Sequence, residues 1–152
     1  MSQKSRYQGG FTLIEMLVVV AVIGLLSSVI LTALGPAKDK AKDSRIIQEV
    51  NQVRSLAETF YTGNYDVVPS LPSITDIQDD NLKALSDDIT LQGGALAIIK
   101  SPAPAKAYAT FSNLNTKLGS SDNPQTQYYC VDSVGHSITT TNEPDSYTCP
   151  SN

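Results

Sequence analysis

A single uninterrupted apolar segment constrains this chain more than any other feature. Between Phe11 and Leu34 the sequence places 24 residues that include one charged side chain, Glu15. As an α-helix with a rise of about 1.5 Å per residue, the segment spans roughly 36 Å, which exceeds the hydrocarbon core of a bilayer at about 30 Å. A core helix rarely contains so long an apolar run, and a secretory signal peptide has an apolar region of only about 7–15 residues. The segment therefore predicts a membrane-spanning helix.

Composition excludes several classes of function. The chain of 152 residues has a formal net charge of -4, which argues against a nucleic-acid binder driven by positive charge. Two Cys residues exclude a disulfide-dense small scaffold. The sequence contains one His and no G-x-S-x-G, Walker or H-E-x-x-H pattern. We therefore expect no enzymatic activity and no cofactor.

The one charge in the apolar segment would gain a partner if the chain were cut just before the segment. The first ten residues, MSQKSRYQGG, are polar and basic and end at Gly10. Glycine leaves the backbone unhindered for a protease, and cleavage there would free an ammonium at Phe11. Glu15 lies four residues further along, about one helical turn away. In a filament, the carboxylate of one subunit could meet the ammonium of the next, and a buried ion pair of this kind fixes register.

These residues resemble the prepilin motif of type IV pilins and of the related pseudopilins of type II secretion. A short basic leader, the sequence GFTLIE from Gly10 to Glu15, and some twenty apolar residues follow one another in the order of the motif. The resemblance covers roughly the first third of the chain. It implies that residues 1–10 are a leader removed by a prepilin peptidase and methylase, that Phe11 becomes an N-methylated terminus, and that Glu15 is the assembly glutamate.

The resemblance implies a structural subunit of a type IV pilus-like extracellular filament, whose main partners are copies of itself. The precursor would lie in the inner membrane, contact membrane lipid and an assembly platform there, and polymerise through its N-terminal helix. Adhesion, twitching motility or DNA uptake would be its roles. Two alternatives stay open, a pseudopilin of a type II secretion system and a membrane-anchored binding module that does not polymerise. Nucleic acid is not an expected ligand of the acidic head.

The segment after Pro36 predicts a second, amphipathic half of the same helix. Charged residues fill one face, with Glu49 and Glu58 among them. Apolar residues recur on the other face at steps of three or four, which is the helical period. These apolar positions are Ala37, Ala41, Ile46 or Ile47, Val50, Val53, Ala57 and Phe60. Pro36 itself lacks an amide hydrogen and predicts a kink.

The chain accordingly divides into four parts. They are a cleaved leader at 1–10, a transmembrane and filament-core helix at 11–36, an amphipathic helix at 37–62, and a globular α+β head at 63–152. The resemblance agrees with this division, because the family combines a long N-terminal helix with a small head.

The head is expected to be a small α+β domain. Gly63 ends the long helix, and a connector rich in Pro, Ser, Asn and Asp follows it. Asp79 or Asp80 would cap a short helix that ends at about Leu85. Three or four antiparallel strands would then form one sheet, whose apolar face the amphipathic helix covers. The strand-like runs are Ala95–Ile99, Ala105–Phe111, Thr126–Val131 and Ser137–Thr141.

Cys130 and Cys149 predict a disulfide near the C-terminus. One His and two Cys do not make a zinc site, and the C-x-x-C spacing of a redox pair is absent. A bridge would close a loop of about 20 residues and stabilise the fold by roughly 3 kcal/mol. Pilins often close a C-terminal loop in this way, whereas many pseudopilins bind calcium instead. A disulfide requires an oxidising compartment, which places the head outside the cytoplasm, although the bare count of Lys and Arg beside the span favours the opposite orientation.

The acidic residues around the cysteine loop are expected to form a solvated surface and no metal site. Asp132, Glu143 and Asp145 lie within or beside the loop but do not follow the D-x-D-x-D-G pattern of a calcium loop. His136 follows a predicted hairpin turn at 132–135, and we expect its side chain to be exposed.

Overall fold

A computed structural model describes residues 10–71 and 79–151 of the chain. Within them lie two helices and four strands, in the order α1 (Leu13–Thr59), α2 (Asp80–Leu91), β1 (Leu96–Lys100), β2 (Tyr108–Asn113), β3 (Tyr128–Asp132) and β4 (Ser137–Thr140). The predicted α+β class, with a long N-terminal helix and a small antiparallel sheet, is confirmed. All of the predicted leader except Gly10, and part of the connector before α2, lie outside the described residues.

The chain separates into two compact units, Met1–Ala37 and Lys38–Asn152. The described part of the first unit is dominated by the N-terminal portion of α1. Ser28 Oγ and Thr32 Oγ1 each donate a hydrogen bond of 2.8 Å to the backbone carbonyl three residues earlier. These hydroxyls are thereby satisfied within the helix itself, as an apolar environment requires. The helix is continuous through Pro36, and a kink at this residue stays a prediction.

The second unit contains the four strands as one antiparallel sheet in the order β1-β2-β3-β4. All four predicted strands are present, with bounds that differ by up to three residues. The largest shift is at β2, which starts at Tyr108 instead of Ala105. The Ser101 hydroxyl accepts hydrogen bonds from the amides of Lys106 and Ala107, at 2.9 and 3.3 Å. This turn uses the amides that would otherwise extend the strand.

The C-terminal part of α1 covers one face of this sheet, as the periodicity predicts. Its buried apolar residues join one core with side chains of β1, β2 and β3; they are Ile46, Val50, Val53 and Ala57. Burying each of the larger side chains contributes about 1.5–3 kcal/mol. Ala37 and Ala41, which the periodicity also assigns to this stripe, are exposed. The first buried residue of α1 is Asp43, so the core contact starts later than predicted.

The ends of the two helices differ from the prediction. α1 ends at Thr59 and not at Thr62, because the next turn tightens: the Phe60 and Tyr61 amides donate to the carbonyls three residues earlier, at 3.2 and 3.3 Å. The predicted cap of α2 is confirmed, since Asp79 Oδ1 accepts a hydrogen bond of 2.8 Å from the Leu82 amide. α2 is longer than expected and reaches Leu91.

Three carboxylates are buried among the described residues, Asp43 and Glu49 in α1 and Asp132 in the head, and the burial of Asp132 contradicts the expectation of a solvated acidic surface. Glu49 of α1 was assigned to the polar face, and this prediction is wrong because its side chain is buried. Asp43 of α1 receives three short hydrogen bonds from the loop after β2: the Asn115 amide donates at 2.6 Å, the Asn115 side chain at 3.0 Å and the Thr116 amide at 2.8 Å. Asp43 therefore fastens that loop to α1.

Asp132, the third buried carboxylate, lies at the end of β3 and is fully inaccessible to solvent. Its Oδ1 accepts hydrogen bonds from the amides of Val134 and His136 at 3.0 and 2.9 Å, and its Oδ2 accepts one from the Cys149 amide at 3.1 Å. His136 Nδ1 lies 2.9 Å from Oδ2, while the ring is largely exposed as expected. The carboxylate thus joins the predicted hairpin turn to the C-terminal tail.

Burial on its own raises the pKa of Asp132, but the hydrogen bonds from Cys149 and His136 outweigh burial and hold this pKa below its usual value. The unfolded chain would release this proton at a pKa of about 3.9. Because the folded-state pKa is the lower one, Asp132 contributes stability above about pH 3.9, and this stability is lost as the pH falls through the folded value.

The predicted disulfide joins Cys130 in β3 to Cys149 in the tail, with the two Cα atoms 5.8 Å apart. Both cysteines belong to a second apolar cluster, which also contains Ala109 and Phe111 of β2. The bridge therefore fastens the tail to the sheet beside the hydrogen bond that the Cys149 amide makes with Asp132.

The first prediction concerns Asp132. Asp132→Ala leaves the amides of Val134, His136 and Cys149 without this acceptor, and we expect the free energy of unfolding of the full chain in detergent to fall by about 3 kcal/mol at neutral pH. Denaturant titration followed by the near-UV circular dichroism of the tyrosines measures this change. The matched control is Asp145→Asn, a change at an exposed residue of the same tail. Equal stability of the two variants contradicts the anchoring role.

The second prediction concerns the disulfide. Reduction opens a loop with a sequence separation of 19 residues, and we expect it to cost about 3 kcal/mol of unfolding free energy in the same titration. A Cys130→Ser/Cys149→Ser double variant should start from the lower stability and respond to the reductant no further. Two free thiols in the purified, untreated protein would be evidence against the bridge.

Candidate assembly site

The bond between Gly10 and Phe11 lies in exposed backbone just before α1. Neither residue is helical, and the Phe11 side chain is 78% exposed. A Cβ placed on Gly10 would have no neighbouring atom within 4 Å. The predicted cleavage site thus has no side chain on Gly10 and a non-helical residue after it, which suits access by a protease.

Glu15 is held in the first turn of α1 by Thr12. The Thr12 amide donates to Glu15 Oε2 at 2.8 Å, and the Thr12 hydroxyl donates to the same oxygen at 2.7 Å. In the reverse direction, the Glu15 amide donates to Thr12 Oγ1 at 3.3 Å. These reciprocal contacts are a capping box, which satisfies backbone donors that the first helical turn leaves free.

The capping box has two consequences for the carboxylate. It places the negative charge at the positive end of the helix dipole, where an anion is stabilised. Both recorded hydrogen bonds converge on Oε2, and within residues 10–71 and 79–151 the other oxygen, Oε1, has no hydrogen-bond partner. The predicted pairing of Glu15 with the Phe11 ammonium of a neighbouring subunit would use this oxygen, and it stays a prediction.

The T-x-x-E signal of this cap was present in the sequence. Thr12 and Glu15 stand three residues apart directly before the apolar run, as a capping box requires. The interpretation of Glu15 as a charge without a local partner is incomplete, because Thr12 is that partner. Thr12, through its hydroxyl, is therefore an additional residue of the candidate site.

The surface of α1 that follows the cap is apolar on all sides. Its large side chains are exposed in the single chain, and none of its most apolar 18-residue stretch is buried. By length and composition, α1 is the one helix in the described part of the chain that could cross a membrane. A continuous apolar surface of this size requires a cover of lipid or protein. The exposed residues include Leu13, Ile14, Leu17, Val20, Leu25, Val29, Leu31 and Leu34.

Among the residues that the structure describes, no three His, Cys, Asp or Glu side chains lie close enough together to hold a metal ion. Around the cysteine loop, Asp132 contacts His136 and the Cys149 amide, whereas Glu143 accepts a hydrogen bond of 3.4 Å from the Tyr128 hydroxyl.

Comparisons with known proteins gave one match. Residues 5–31 match the family described as the prokaryotic N-terminal methylation motif, which includes Gly10, Phe11, Thr12 and Glu15. No curated protein and no solved structure matched the chain. The motif implies processing by a prepilin peptidase and assembly into a pilus-like structure. The chain thus carries the N-terminal methylation motif that is the hallmark of prepilin-like proteins of the type IV pilin and pseudopilin class.

Proposed function

We propose that this chain is a type IV prepilin, cleaved after Gly10 and polymerised through its N-terminal helix into an extracellular filament. The single observation that carries the proposal is an exposed apolar helix with one carboxylate, Glu15, fixed in its first turn. A plain membrane anchor accounts for the apolar surface but gives the carboxylate and its cap no role.

Assembly is driven by the exchange of lipid contacts for helix–helix contacts. In lipid, association gains little from the hydrophobic effect and depends on close packing and on polar groups that find partners. Between Phe11 and Leu34, Glu15 is the one charged side chain available for such a partner. Its pairing with the ammonium of Phe11 in the next subunit sets the register between neighbouring helices.

The head and the helix then have different partners. Before assembly, the apolar part of α1 lies in the inner membrane and the head lies on the far side from the cytoplasm, where a disulfide such as Cys130–Cys149 persists. A prepilin peptidase and methylase processes the N-terminus, and an assembly platform in the inner membrane transfers subunits to the filament.

A pilin is favoured over a pseudopilin by the disulfide. The methylation motif is common to both, whereas pilins often close a C-terminal loop with a disulfide and many pseudopilins bind calcium there. Imaging of cells at the natural expression level distinguishes the two, because a pilin produces long surface fibres.

The third prediction concerns processing. The mature protein should begin at Phe11, with the mass of one added methyl group, since the scissile bond is exposed and Gly10 offers no side chain. Mass spectrometry of protein from the native host measures both changes. Gly10→Leu should retain the leader, because its side chain obstructs the protease. A mature protein that still starts at Met1 contradicts the proposal and supports the non-polymerising anchor.

The fourth prediction separates the two roles of Glu15. Glu15→Gln preserves the capping box, because Gln also serves at this position, but it cannot pair with an ammonium. We expect it to leave membrane insertion unchanged and to reduce the yield of sheared filaments at least tenfold. Glu15→Ala loses both roles and should also destabilise the helix start by about 1 kcal/mol.

Thr12→Val is the matched control for the cap, since it removes the hydroxyl and keeps the backbone amide that donates to Glu15. It should lower filament yield less than Glu15→Gln does. Normal filaments from Glu15→Gln would show that charge pairing does not set the register.

A further inference from the structure

A second charged cluster, independent of the methylation motif, connects the C-terminal part of α1 to α2. Arg45 and Glu49 lie one turn apart on α1, and Asp88 lies on α2. Arg45 Nε donates to Glu49 Oε1 at 3.1 Å and to Asp88 Oδ2 at 2.6 Å. One guanidinium therefore bridges two carboxylates that come from different helices.

The three side chains differ in their access to water. The side chain of Glu49 is 7% exposed and that of Asp88 is 25% exposed, whereas that of Arg45 is 58% exposed. Glu49 Oε2 is buried and has no hydrogen-bond partner. With both carboxylates ionised, the cluster would carry a net charge of -1 and an unpartnered buried oxygen, which is a costly arrangement.

A proton on Glu49 removes the excess negative charge and the cost of an ionised buried oxygen. The neutral carboxyl then leaves Arg45 and Asp88, whose Nε and Oδ2 lie 2.6 Å apart, as a single balanced ion pair. Arg45 and Asp88 are the charged groups that act on Glu49 from the two helices. The other buried carboxylate of α1, Asp43, is directed at Asn115 and Thr116 instead.

We propose that Arg45, Glu49 and Asp88 form a proton-controlled latch between α1 and α2, which is closed while Glu49 carries a proton and weakened when Glu49 ionises. α2 also places Leu82, Ser86 and Ile89 in the core. Opening of the latch therefore loosens α2 on its remaining apolar contacts and does not unfold the sheet.

The pH range follows from the two carboxylates. Burial, followed by the hydrogen bond with Asp88, raises the pKa of Glu49 to about 7, from about 4.3 in the unfolded chain. The contribution of Glu49 is therefore complete below about pH 4.3 and is lost as the pH rises through about 7. Hydrogen bonds with Glu49 and Arg45 lower the pKa of Asp88, so its contribution is lost only in acid. The latch is therefore strongest near pH 4, where Glu49 carries a proton and Asp88 is ionised, and it weakens as the pH rises to about 7.

The fifth prediction is the test of this latch. Hydrogen–deuterium exchange is measured on the full chain in detergent from about pH 5.5 to pH 8.5, corrected for the intrinsic pH dependence of exchange. Release of one proton changes the opening equilibrium by at most tenfold per pH unit, so we expect opening of Asp80–Leu91 to increase by roughly thirtyfold from about pH 5.5 and to level off above about pH 7. Amides of β2 in the same protein serve as the internal reference.

Glu49→Gln imitates the protonated side chain and should keep α2 protected at every pH. Asp87→Asn changes an exposed carboxylate next to Asp88 and should retain the pH dependence of the unmodified chain. Asp88→Asn removes the second carboxylate, which raises the pKa of Glu49, and should move the pH-dependent opening of α2 to lower pH. This variant tests the latch if Glu49→Gln does not fold. A pH-independent α2 in the unmodified chain, or an unaltered pH dependence in the Glu49 or Asp88 variant, overturns the proposal.

Discussion

One continuous helix, α1, combines an apolar part suited to a membrane with an amphipathic part that packs on the sheet, and the rest of the molecule depends on this combination. Its first part is apolar on every side, and its large side chains are exposed in the single chain. Its second part is apolar along one stripe, which the sheet covers. Among the described residues, the large apolar side chains between Phe11 and Leu34 stay exposed. A surface of this kind requires a cover of lipid or protein.

Buried carboxylates accept hydrogen bonds from backbone amides in the loops that follow the strands. The loop after β2 and the turn after β3 contain amides that no ladder can use, and each buried amide needs an acceptor. Asp43 supplies acceptors for the first loop, and Asp132 supplies them for the turn and for the tail at Cys149. The disulfide and Asp132 hold the same tail, one covalently and the other through hydrogen bonds. The C-terminal tail is consequently fixed to the sheet at Cys149 by two independent contacts.

The sequence could predict what depends on local period. The stripe of α1, the four strands and the Asp79 cap all rest on spacings of a few residues, and all are present. Burial of Glu49 and Asp132 could not be predicted in this way. Glu49 shares Arg45 with Asp88, which lies on another helix, and Asp132 depends on an amide 17 residues away. A carboxylate that is buried by distant partners has the same local sequence context as a solvated one.

Charge balance explains why cleavage and assembly would belong together on the proposed pathway. Before cleavage, Glu15 is an unbalanced negative charge in the apolar segment, and its contacts with Thr12 satisfy hydrogen bonds without neutralising it. Cleavage after Gly10 adds an ammonium at Phe11, and the segment becomes electrically neutral in total. A charge in an apolar surrounding is tolerated only when it is paired. On the proposed pathway, removal of the leader would therefore be the step that allows Glu15 to enter a helix-packed core, where Oε1 could accept the ammonium of a neighbour while Oε2 keeps the cap.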